Sequence, residues 1–189
     1  MTVRRILLYP DQQAALRKKC EPVQGIDRSV RKLIADLTHT LLAHPEGIGL
    51  AAPQLNDHRR VVVVRLDSGC QEGLQAGPPM PIINPAILEA RDEHRDFDGC
   101  LSFPGLYGLT IRPHYLHVAG LDEQGRPLDQ VFEDFDAVMV HHEIDHLDGV
   151  LFIDRLERVE DLYRVLFDEN GRRVRMPVSM AISEGLGGS

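Results

Sequence analysis

The segment EDFDAVMVHHEIDHLDG, residues 133–149, decides how this chain is read. Phe135, Val138 and Met139 recur at helical spacing, and His142 and His146 continue the same stripe. This predicts a helix from about Glu133 to Leu147, ended by Asp148-Gly149. Within it, His142-Glu143-Ile144-Asp145-His146 fits the pattern H-E-x-x-H. On a helix that pattern puts two imidazoles one turn apart on one side, where both can bind one metal, with Glu143 beside any water held there. The competing reading is a pair of histidines satisfied inside a core. A buried imidazole needs a polar partner in either case, and a metal supplies one.

A catalytic site of this kind needs a third protein ligand and one open position for water. Cys100 is the best candidate, in the irregular stretch DGCLSFPG at 98–105, whose glycines and proline suit a tight edge with a backbone N–H facing a substrate. A small buried thiol is the alternative for Cys100, and the expected role of Cys20; Cys70 is expected as an exposed loop residue. The stretch GIGLAAPQ at 47–54 offers close backbone approach at its small residues and an amide donor at Gln54 for a developing oxyanion. Taken alone it also reads as a turn.

Working outward, Val30, Leu33, Ile34, Leu37 and Leu41 predict an amphipathic helix opened by Asp27 as N-cap and closed by His44-Pro45. Arg4 to Tyr9 reads as a short strand and Asp11 to Lys19 as a polar turn or helix. Further strands are predicted at Val61 to Val64, Ile82 to Ala90, Leu109 to Ile111, Tyr115 to Leu121 and Pro127 to Phe132, with a loop from Asp67 to Pro81 and a turn at 122–125. These elements make an α+β fold in which antiparallel sheet packs around a central metal-binding helix. The stretch 1–169 is expected to be one domain, and 170–189, with Gly, Pro, Ser and an arginine cluster, a mobile C-terminal tail.

With 189 residues and 43% hydrophobic content, the chain can bury one substantial core. Aromatics make up 5% and Trp is absent, so packing rests on aliphatic side chains. A formal net charge of -8 argues against a general nucleic-acid binder and against specific DNA binding. Three widely spaced cysteines do not make a disulfide framework. No signal peptide is read at the N-terminus, and no stretch approaches the roughly 20 apolar residues of a membrane span. A cytoplasmic monomer is expected.

Together, GIGLAAPQ at 47–54, DGCLSFPG at 98–105 and HHEIDHLDG at 141–149 resemble the three signature motifs of the peptide deformylase family, in the family's order and at similar separations. YPDQQAALRKKCEPV near the start, INP at 83–85 and GVLFIDRL at 149–156 extend the resemblance from about residue 4 to 165. It implies Cys100, His142 and His146 as metal ligands with water in the fourth position. Iron(II) is the expected cellular metal, while nickel, cobalt or zinc suit the same donors. It further implies Glu143 as general base, with the Leu101 backbone N–H and the Gln54 side chain receiving the oxyanion. The implied reaction is hydrolysis of the N-formyl group from N-formylmethionyl nascent peptides, releasing formate.

For the substrate, a cramped site beside Gly49 would exclude larger acyl groups. Ile48, Phe135, Val138 and Met139 are the expected methionine slot, with plain core packing as the alternative. The peptide would pair in extended form with the segments around Gly49 and Gly105. Glu46, Asp98 and Arg112 stand where the family has a charged network bracing the first two motifs. The chain departs from the family's pattern at Asp98 for Glu, at His141 for Gln, and at Tyr107 where many members have Arg near the substrate. His141 is either a donor beside the site or a surface residue. Transient ribosome contact is expected through Arg164, Arg172, Arg173 and Arg175. The alternatives are a related amidase acting on another N-formyl compound, a true peptidase, and a non-catalytic ribosome-associated metal protein.

Overall fold

Four consecutive valines, Val61–Val64, are buried on both faces of a strand, and the reason for that run is the layer on each side. Val61 and Val63 pack with Leu33, Leu37 and Leu41 of one helix, whereas Val62 and Val64 pack with Val140, Ile144 and Leu147 of another. A strand between two helical layers needs no polar alternation. The computed structural model describes residues 2–66, 77–167, 169 and 172–178. Cys70 and most of the predicted Asp67–Pro81 loop lie outside the described residues.

The strands are β1 (Gly49–Ala51), β2 (Val61–Val64), β3 (Met80–Gly99), β4 (Leu106–Leu121), β5 (Pro127–Glu133), β6 (Leu162–Phe167) and β7 (Arg173–Pro177). The helices are α1 (Gln13–Leu16), α2 (Arg28–Leu42) and α3 (Asp134–Leu147). Among the described residues the strands form one antiparallel sheet, in the order β1-β2-β3-β4-β6-β7, with β5 also paired to β4. This sheet, with α3 packed against β1, β2, β4 and β5, places the chain in the α+β class that the sequence predicts.

The α2 helix begins as predicted. Asp27 Oδ1 accepts the backbone N–H groups of Ser29 and Val30, both at 2.9 Å, which satisfies two of the free donors at that end. The α3 helix ends in a Schellman motif: Val150 N–H bonds Asp145 O and Gly149 N–H bonds His146 O. Gly149 has φ +74°, and a Cβ there would lie 2.2 Å from Arg17 O, so no other residue fits that turn without moving the chain.

Four expectations are corrected. Arg4 to Tyr9 is not a strand, because its amides bond scattered partners, Arg4 N–H to Thr40 Oγ1, Leu7 N–H to Gln54 O, Leu8 N–H to Gln12 Oε1 and Tyr9 N–H to Ser102 O, and so build no ladder. That segment instead ties the first motif to the second. The β3 and β4 strands run on as a long ribbon past Ala90 and across His114, where β3 is largely exposed and hydrophilic side chains hide the strand signal. The α3 helix is buried all round from Ala137 to Leu147 instead of along one stripe. Residues 173–177, within the expected tail, form β7 against β6; Val174 and Met176 alternate with Arg173 and Arg175, the period of a strand.

Candidate metal centre

The β4 strand inverts the hydrophobic pattern that its sequence suggests. Gly108, Thr110 and Arg112 are buried, whereas Leu109 and Ile111 are only half-buried. The inward positions therefore carry polar groups, and these serve α3. The β3 strand ends at Gly99, which delivers Cys100 to the same place, and β1 followed by the turn Ala52–Leu55 delivers Gln54.

Cys100 Sγ and the ring nitrogens of His142 and His146 all lie within 4.8 Å of one another. The thiol is 3.2 Å from His146 Nε2, and the two imidazole rings stand edge to face, 4.9 Å between centroids. His142 and His146 are buried and Cys100 half-buried. One thiolate and two imidazoles suit several first-row metals, and with three donors one position stays open for water. The fit has a second mark: Glu143 Oε2 is buried with no hydrogen-bond partner, in a centre otherwise densely bonded. A water held by a cation at the three donors would give that oxygen a partner.

The pKa shifts follow from burial and from neighbouring charge. Burial opposes ionisation of Asp98, but the adjacent His142 and Arg112 outweigh it and hold the carboxyl well below its usual range. Burial opposes charge on His142, and Asp98, with Nδ1 to Oδ1 at 2.7 Å, overcomes it and raises that imidazole well above its usual value. Burial pushes His146 down to about 3. Burial lifts Glu143 to about 7, with the His142 charge only partly offsetting it. A carboxylate poised near neutrality, with one oxygen unpartnered among the described residues, suits a general base.

Gly49 sets the position of Glu143. A Cβ at Gly49 would lie 2.3 Å from Glu143 Oε1 and 2.7 Å from Cδ, so the carboxylate rests against bare backbone. We predict that Gly49→Ala displaces Glu143 and lowers kcat by roughly 10-fold or more while metal content is unchanged, since a displacement of this size can cost up to about 100-fold; equal kcat in the two proteins would refute this role.

Gln54 is buried, and its amide is oriented at both ends. Ala51 N–H donates to Oε1 at 2.8 Å, so Nε2 faces Ser102 Oγ at 3.1 Å and Cys100 Sγ at 3.5 Å. The Leu101 backbone N–H bonds no acceptor among the described residues, which leaves it available to a ligand.

Of the expected bracing residues, Asp98 and Arg112 are joined, and Glu46 is exposed. Arg112 is fully buried and bonds Asp98, Asp145 and His141. Asp145 and Arg155, which the sequence reading missed, complete the cluster: Arg155 donates to both oxygens of Asp145, at 3.0 and 2.7 Å. Spacing held a clue to Asp145, four residues after His141 and on its face of the helix; nothing local pointed to Arg155. Ser102 and Thr110 were missed as well, being short polar residues with no pattern around them.

The expected substrate residues are placed less uniformly. Ile48 and Met139 pack in one cluster with Ile82 and Leu116. Val138 is buried and Phe135 half-buried, both outside that cluster. Gly49 lies in β1, at the sheet edge. Gly105 O is already taken by Val165 N–H at 2.9 Å, so its carbonyl is not open to a peptide. The Tyr107 ring lies over Gly99, where a Cβ would come within 2.7 Å of it.

A thiolate and two helical imidazoles around one point, with a buried carboxylate beside them, define a mononuclear metal-dependent hydrolase. Residues 3–161 match the family model described as polypeptide deformylase. The chain belongs to the peptide deformylase family and is a metallohydrolase acting on N-formyl peptides. It is 40% identical over 161 residues to peptide deformylase 1 of Pseudomonas syringae pv. tomato, covering 85% of this chain and 90% of that one. It is 41% identical over 160 residues to the peptide deformylase of Alkalilimnicola ehrlichii, covering 85% of each. Among solved structures, the Ehrlichia chaffeensis peptide deformylase in complex with actinonin superposes with a TM-score of 0.74 at 34% identity, over 84% of this chain and 91% of that one.

Proposed function

We propose that Cys100, His142 and His146 hold iron(II) in the cell and that Glu143, Gln54 and Leu101 carry the removal of formate from N-formylmethionyl nascent peptides. A divalent cation at these ligands would polarise the formyl carbonyl and make a water acidic enough to ionise near neutral pH. Glu143 takes a proton from the attacking water and returns it to the departing methionine amine. The Gln54 amide and the Leu101 N–H receive the charge that develops on the formyl oxygen. The observation that carries this reading is the unpartnered Glu143 oxygen beside the Cys100–His142–His146 cluster.

The cramped site beside Gly49 is assigned to accept hydrogen, but not a methyl group, on the carbonyl carbon. The methionine side chain is assigned to Ile48, Phe135, Val138 and Met139, and the peptide backbone to the open edge of β1 at Gly49, with Tyr107 and the groups of Gly105 other than its carbonyl as further contacts. Kinetics on formyl-Met, acetyl-Met and unblocked peptides test this. We expect kcat/KM for the formyl peptide to exceed the acetyl peptide by at least about 100-fold; comparable values would favour a broader amidase, and cleavage of the unblocked peptide a peptidase.

The site is assigned to a cytoplasmic monomer. Among the described residues no helix is long and apolar enough to cross a membrane. Transient ribosome contact is assigned to the arginines of the β6–β7 hairpin, Arg164, Arg172, Arg173 and Arg175. Arg175 stacks over Phe97 at 3.9 Å, which fixes the hairpin to β3 and leaves Arg164 exposed. Arg164→Glu should weaken ribosome co-sedimentation, and unchanged binding would count against the assignment.

A further inference from the structure

A buried guanidinium is stable only if its N–H groups meet acceptors, because a stranded donor bears the full cost of lost hydration. Arg112, at 0% exposure, comes close to that limit. Its Nε and Nη2 donate to Asp98 Oδ2 at 2.9 and 2.6 Å, and Nη1 donates to Asp145 Oδ2 and to His141 Nδ1, the latter at 2.7 Å. The last Nη2 hydrogen faces His142 Nδ1 at 3.5 Å, a nitrogen whose own hydrogen goes to Asp98 Oδ1. Asp145 cannot easily take more, since both its oxygens also receive Arg155.

Arginine has no acceptor, so the Arg112–His141 contact fixes the tautomer of His141: Nδ1 carries the lone pair and Nε2 the hydrogen. The consequence runs to the metal centre. Asp98 divides its oxygens, Oδ2 to Arg112 and Thr110 and Oδ1 to His142, and that last bond turns the other ring nitrogen of His142 toward Cys100 and His146. Asp98 and His141 meet at one guanidinium.

We propose that His141 is a positioning residue for the metal ligand His142: its Nδ1 holds the Arg112 guanidinium so that Asp98 is presented squarely to the His142 ring. Without that acceptor, one Nη1 hydrogen is stranded, the guanidinium shifts to find another partner, the Asp98 grip loosens and His142 loses its orientation. The inference rests on the reading of Cys100, His142 and His146 as a metal centre, and not on which amide the centre hydrolyses.

The test is the rate at which zinc-loaded full-length protein surrenders zinc to a chelator, compared for wild type, His141→Gln and His141→Phe. The Gln amide oxygen can accept from Arg112 and Phe cannot, although Phe fills the space. We expect His141→Gln to release zinc within about 3-fold of wild type and His141→Phe about 10- to 100-fold faster. Equal release by the two variants overturns the proposal, because it would show that packing alone matters. If His141→Phe does not fold, nitrogen-15 spectra of wild-type histidines decide: Nδ1 of His141 bare and Nε2 protonated supports the proposal, and the opposite tautomer overturns it. A chain that takes up no zinc removes the metal centre itself; zinc uptake with equal release removes only the role of His141.

Discussion

Replacing Glu143 with Gln is expected to leave metal content unchanged and to lower kcat by roughly 100- to 10,000-fold, the range associated with a positioned general base. The carboxylate is not among the three ligands, so binding should survive. Its Oε2 bonds nothing among the described residues, so no hydrogen bond of that atom to them is lost either. Retained activity would show that proton transfer runs through another group. The same substitution has a second signature in metal-free protein. The folded pKa of Glu143 is raised from 4.5 to about 7, so its contribution to stability is fully present below the unfolded value and is lost as pH rises through the folded one. The Gln variant does not titrate. Relative to wild type it should therefore gain stability from about pH 4.5 to 7 and level off above, by at most about 3 kcal/mol. A pH-independent difference in denaturant midpoints would mean that Glu143 is not held in a desolvated place.

Replacing Arg112 with Met is expected to destabilise the fold by about 3–5 kcal/mol, because a fully buried cation is withdrawn from Asp98 and Asp145 and two buried carboxylates are left short of a partner. For a chain of this size that corresponds to roughly 6–20 °C in Tm. Metal affinity should fall with it, since Asp98 orients His142. Thermal denaturation with and without added zinc measures both effects. A Tm within about 2 °C of wild type would show that the cluster is better hydrated than its burial indicates.

The chemistry of this chain was more legible than its scaffold. Cys100, His142 and His146 meet as expected, since helical spacing and thiol chemistry are local properties that survive folding. The α2 helix and its Asp27 cap were equally open to reading, for the same reason. The β3–β4 ribbon past Ala90 was not, because a strand with solvent on one side and polar site residues on the other carries no apolar alternation. Arg112 illustrates the limit: its neighbours Ile111 and Pro113 give no sign that it is the most deeply buried charge among the described residues, and its partners Asp98, Asp145 and His141 come from two other elements. Glu46, a charge assigned to the same network by resemblance, is exposed. Asp145 and Arg155 belong to it with no resemblance to announce them.

One spectroscopic measurement bears on the whole account. Protein purified without oxygen would be assayed for metal by elemental analysis, and the bound metal's neighbours read by X-ray absorption on the same sample. We predict one first-row metal per chain, with one sulfur and two imidazole nitrogens in its first coordination sphere. A metal bound with no sulfur neighbour would contradict it, since Cys100 would then lie outside the centre that the fold builds around α3.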